Sequence, residues 1–132
     1  MNSPLEYAQA LLTRAGDDAY VVRHLQERRD APGWVVGFHA QQAVEKALKA
    51  VLSGAGQAYP RTHNLVMLTE LLRTAGLPLP PDAEELGTLT PFGVVLRYED
   101  LAADPVPAID PAWLEEIVDR TLVWARQQLD KD

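Results

Sequence analysis

The chain of 132 residues is long enough to build one hydrophobic core and too short to build two. Its 47% hydrophobic and 23% charged residues are the proportions of a soluble globular protein, and the absence of cysteine excludes disulfides, thiolate metal sites and a thiol nucleophile. A surplus of 19 acidic over 12 basic side chains gives a formal net charge of -7, which repels polyanions and argues against duplex DNA as a partner, while a local Arg or His pocket can still hold one nucleotide.

The residues from Met1 to Glu6 show no basic region ahead of an apolar stretch, so no secretory leader is expected. No apolar run nears the roughly 20 residues that a membrane-spanning helix needs. The expectation is a cytoplasmic protein with no membrane association, folded as one domain over residues 1–132.

Pro and Gly clusters divide the chain into segments of helical period. The first opens at Ser3-Pro4, a capping residue followed by proline at the first helical position, and carries Leu5, Ala8, Leu11, Leu12, Ala15, Ala19, Val22 and Leu25 to about Arg29. The second spans roughly Trp34 to Leu52 and stops at Ser53-Gly54-Ala55-Gly56. A loop through Tyr59 to His63 leads to a third, about Asn64 to Thr74, closed by Gly76 and the Pro78-Leu79-Pro80-Pro81 turn. A fourth begins near Asp82, is interrupted at Pro91 and Gly93, and resumes over Val94 to Tyr98. The last has Asp110 as cap, Pro111 at its first position, and an apolar set from Trp113 to Leu129. The fold class is all-α, an antiparallel up-and-down bundle of about five helices.

The second segment is apolar over more than half its circumference, so it is expected at the centre. Trp34, Phe38, Leu48 and Leu52 form a bulky stripe that includes Gln41 and Glu45. Val36, Ala40, Ala43, Val44, Ala47 and Val51 form a stripe of small residues, where another helix can approach closely. His39, Gln42, Lys46 and Lys49 gather on the remaining side, with His39 expected to be exposed. Gln41 points into the apolar arc, where an unpaired amide costs roughly 1–3 kcal/mol. It is either a structural residue bonded to backbone or a polar group in a pocket or a dimer seam. Glu45, at the edge of the arc, is expected to form a surface ion pair with Lys49 one turn on.

Three blocks carry a family resemblance. The run from Phe38 through Gln41-Gln42-Ala43 to Glu45-Lys46-Ala47-Leu48-Lys49 resembles the signature helix of the HEPN family. Arg61-Thr62-His63-Asn64-Leu65 is similar to that family's Thr-His-Asp-Leu segment, and Leu96-Arg97-Tyr98-Glu99-Asp100 resembles its Arg-Tyr-Pro-Asp segment with Glu99 in place of proline. The resemblance implies a HEPN-like helical bundle, usually a homodimer, often paired with a minimal nucleotidyltransferase partner in toxin–antitoxin modules. Some branches are metal-independent ribonucleases with an Arg followed four to six residues later by His. His24, His39 and His63 are the only histidines here, and no Arg stands at that distance before any of them, so that mechanism does not carry over.

Gln41, Arg61, His63, Arg97 and Tyr98 are the candidate nucleotide or anion pocket: Arg can pair a phosphate bidentately and Tyr can stack on a base. Each has a structural alternative. His63 and Thr62 can be capping and packing residues, and Arg97 can complement a helix C-terminus with Tyr98 covering the core edge. Asp17-Asp18 and Glu84-Glu85 are adjacent acids pointing about 100° apart, so neither forms a carboxylate dyad or a metal clamp. No Gly-rich phosphate loop, no His-Glu-x-x-His pair and no Gly-x-Ser-x-Gly elbow is present. Neither a metal nor a cofactor is expected, apart from a nucleotide ligand. The leading expectation is an interaction module binding a nucleotidyltransferase and a nucleotide or RNA. The alternative is a metal-independent endoribonuclease toxin using His63 with Arg61 or Arg97.

Overall fold

The computed structural model describes residues 3–28, 30–93 and 110–130. Within them the chain forms α1 (Pro4–Gln26), α2 (Gly33–Gly54), α3 (Leu65–Thr74), a 3-10 helix (Leu86–Gly93) and α4 (Pro111–Leu129), with no strand among the described residues.

Local chemistry sets the ends of these helices. Ser3 caps α1, its side-chain oxygen accepting from the Glu6 N–H at 3.1 Å, with Pro4 behind it. α2 closes where Gly56 takes a φ of +74°, which lets the Gln57 N–H return to the Leu52 carbonyl. Asn64 caps α3 by accepting from Met67 N–H, so the expected start at Asn64 is the cap and the helix proper begins at Leu65. Asp110 caps α4 ahead of Pro111, as read from the sequence.

The expected fourth helix differs. Residues from Pro81 to Glu85 form turns, and the 3-10 helix follows. Pro91 lacks the N–H that an α-helix would use there, and the tighter 3-10 winding tolerates that loss over a short run. The expected continuation over Val94 to Tyr98 lies outside the described residues.

α2 is the central helix, touching α1, α3, α4 and the 3-10 helix. Its small-residue stripe is fully buried at Ala40, Ala43, Val44 and Ala47, and faces a core that includes Ala15, Ala19 and Val22 of α1. α1 runs antiparallel to α2, since Pro4 O accepts from Ser53 Oγ and Ala8 lies near Gly54. α1 is also antiparallel to α4, as contacts from Gly16 to Arg126 and from Arg23 to Asp119 show. Leu48, Leu52, Leu65, Leu68, Leu72, Leu86, Leu89 and Ile117 fill the interior. Trp34, expected within the bulky stripe, is instead 51% exposed at the start of α2. Arg120 of α4 grips the turn before the 3-10 helix through both oxygens of Asp82.

Candidate functional site

The expected pocket residue Gln41 is wholly buried, and both its N–H donors and its carbonyl oxygen have protein partners. Its Nε2 donates to Glu45 Oε1 at 2.9 Å and to the His63 carbonyl at 3.0 Å, while its Oε1 accepts from Gln42 Nε2 at 2.8 Å. Two glycines let neighbouring residues reach this layer. A Cβ on Gly93 would lie 2.5 Å from the Gln41 amide, and one on Gly37 would meet the Phe92 ring at 2.4 Å. Gln41 therefore ties α2 to the loop before α3, consistent with the structural reading of this residue, and its amide offers no free donor to a ligand.

Glu45 is not at the surface. It is 5% exposed, and its ion pair with Lys49 (2.9 Å to Oε2) is one of three contacts that satisfy it. The His63 imidazole approaches Oε1 through Nδ1 at 2.8 Å. Burial pushes the Glu45 carboxyl upward, but the hydrogen bonds from Gln41, Lys49 and His63 outweigh it and hold the group below its ordinary value. A carboxylate can only accept, so His63 presents Nδ1–H to it, and in the neutral ring Nε2 is then the acceptor. The His63 side chain is 57% exposed, and that nitrogen has no partner among the described residues. Tyr59 closes one end: the Lys49 ammonium lies 5.7 Å from its ring centroid. Burial, with the hydrogen bond that the Tyr59 hydroxyl gives to Tyr7 and the nearby Tyr7 and Glu45 charges, pushes the Tyr59 phenol up to about 12.

Thr62 caps no helix. Its Oγ1 accepts from the Asn64 N–H, shaping the turn that sets His63 against α2. Arg61 is exposed, two residues before His63, with no ion pair among the described residues. The structure thus joins Gln41 and His63 and leaves Arg61 in solvent beside them, while Arg97 and Tyr98 lie outside the described residues.

Sequence reasoning missed a second cluster. His39, expected to be exposed, is half-buried, and its Nδ1 lies 2.9 Å from Asp18 Oδ1. Asp18 is 8% exposed and gives its other oxygen to Lys46. Asp18 alone could have signalled this, because it falls three residues after Ala15 and four before Val22, on the apolar stripe of α1. Among the described residues no group of His, Cys, Asp and Glu could hold a metal ion. No described helix is long and apolar enough to cross a membrane.

The family model described as HEPN domain matches residues 8–123, nearly the whole chain. The chain belongs to the HEPN family. No curated protein and no solved structure matches it. In this HEPN chain the signature helix is α2, and two of the three blocks of resemblance meet where Gln41 donates to the His63 carbonyl and Glu45 accepts from the His63 ring.

Proposed function

We propose that this HEPN protein is a homodimeric interaction module that pairs with a minimal nucleotidyltransferase and binds a nucleotide beside His63. The observation that carries the ligand reading is the His63 ring, held through Nδ1 by a buried carboxylate while the side chain stays half exposed. A ring fixed in this way accepts a hydrogen bond from a ribose hydroxyl, and the exposed Arg61 guanidinium, with no ion pair among the described residues, can take the phosphate bidentately. The dimer and partner reading draws on the family, and on the large apolar side chains of Tyr20, Trp34, Val66 and Val123, which stay half exposed.

Titration with AMP and ATP by calorimetry tests the ligand. Binding to the wild type that is lost in both His63→Ala and Arg61→Ala supports the pocket, and equal affinity in all three removes it. Light scattering tests the dimer, and co-purification with a co-expressed minimal nucleotidyltransferase tests the partnership.

The same ring favours one second reading, a metal-independent ribonuclease. A carboxylate-oriented imidazole with a free Nε2 has the form of a general base for a 2'-hydroxyl. Cleavage of RNA that persists with chelator and disappears in His63→Ala would establish it, and intact RNA would leave the binding module.

A further inference from the structure

Between α4 and the proline-rich turn after α3 lies an apolar groove of about 490 Å³, walled by Leu79 and Pro81 of the turn and by Val123 and Trp124 of the helix. That volume falls in the range of small-molecule sites, roughly 300–1,000 Å³, which are mostly apolar with a few fixed polar groups. The two walls are locked together. Arg120 of α4 clasps both oxygens of Asp82, the residue after Pro81, at 2.9 and 3.0 Å. Pro78, Pro80 and Pro81 stiffen the turn that faces the helix.

The lining also defines the chemistry of a ligand. Its two charged side chains are already matched, Asp119 with Arg23 at 3.5 Å and Arg120 with Asp82 and Glu116. Among the described residues the groove therefore offers no unmatched charge to a phosphate or a carboxylate. Trp124 supplies a different group. It is 7% exposed, and its indole N–H has no partner among the described residues. Buried donors are nearly always paired, and an unmet one is unfavourable. On its inner side the ring packs into a cluster of Ala, Val, Leu and Ile side chains, none of which accepts a hydrogen bond, so an acceptor side chain or ligand atom reaches it from the groove.

We propose that this groove binds an uncharged, mainly apolar small molecule through one oxygen acceptor, which takes the indole N–H of Trp124. The site is separate from His63 and needs no nucleotide there.

Nile red, a neutral dye with a carbonyl acceptor that brightens and shifts to the blue in apolar surroundings, is the probe for the full chain. Its titration should saturate, and Val123→Arg, at a half-exposed position, should weaken binding by about tenfold or more by placing a charge against the dye. Trp124→Phe keeps an aromatic ring without the N–H and should weaken it roughly three- to tenfold, as loss of one hydrogen bond does. Circular dichroism confirms that each variant is folded. The wild type gives a second reading that needs no variant to fold: on dye addition the Trp124 indole proton should move downfield in its NMR spectrum, while that of exposed Trp34 stays. A Trp124 proton that does not move, unchanged affinity in folded Val123→Arg, or no dye binding overturns the proposal. Light scattering on the same samples identifies the competing occupant. A dimer that Val123→Arg converts to a monomer would mean that a second copy covers the groove, and that result overturns the ligand site as well.

Discussion

Glu45 and His63 are 18 residues apart and lie on different elements, yet the carboxylate of one holds the imidazole of the other at 2.8 Å. The contact orients the His63 ring, fixes the loop that starts α3, and adds a third partner to a buried carboxylate that Gln41 and Lys49 also hold. Removing either group therefore disturbs both the site and the fold.

The depressed Glu45 carboxyl makes stability depend on pH in a definite direction. Its folded-state value lies below the ordinary 4.5, so its contribution is fully present above that pH and fades as pH falls through the lower folded value. Urea melts from pH 7 to pH 3 should show the wild type losing stability below about pH 4.5, and Glu45→Gln losing less over that interval. Glu45→Ala, which strands Gln41, Lys49 and His63, should cost about 3 kcal/mol at pH 7.

Gly37 and Phe92 occupy one volume. A Cβ at Gly37 would stand 2.4 to 2.7 Å from the Phe92 ring, so Gly37→Ala should destabilise the protein by about 1–3 kcal/mol. Phe92→Leu in that background should recover part of the loss. A double-mutant cycle by chemical denaturation measures the coupling, and strict additivity would show that the 3-10 helix moves away freely.

Thr121 is wholly buried, and its hydroxyl has no partner among the described residues. Val has the same shape without the unmet polar group. Thr121→Val should therefore raise stability by about 1 kcal/mol, read as a higher denaturation midpoint at unchanged slope. A loss of stability would mean that a partner satisfies the hydroxyl.

Tyr59 should ionise only well above the ordinary tyrosine value of 10. Burial, then the hydrogen bond and charge of Tyr7, place it at about 12, and Tyr7→Phe should bring it down towards 10. Absorbance titration at alkaline pH follows this directly. Because the folded value is raised, the associated stability is complete below pH 10 and is lost as pH climbs towards 12.

Much of this architecture was legible before any coordinates. Ser3-Pro4, Asn64 and Asp110-Pro111 mark helix starts because capping is a local event, satisfied within one turn. The small-residue stripe of α2 marked the close packing, since periodicity alone decides which side chains share a face. Periodicity puts Trp34 on the buried stripe, but it stands in the first turn of α2 and is exposed there. Glu45 has the sequence pattern of a surface group because its i+4 lysine suffices as a partner, and nothing nearby in the chain announces His63.

What the sequence determined by itself, then, is the helical order, the central place of α2 and the family to which the chain belongs. All of these follow from spacing along one helix or from ordered blocks of residues. The tertiary structure decided the partners: Asp18 with His39 and Lys46, Glu45 with His63, and the tight volumes of Gly37 with Phe92 and Gly93 with Gln41. Hydrogen bonds and hard-core contacts act over a few ångströms in space, and only chain reversal brings residues 18 to 55 positions apart within that range.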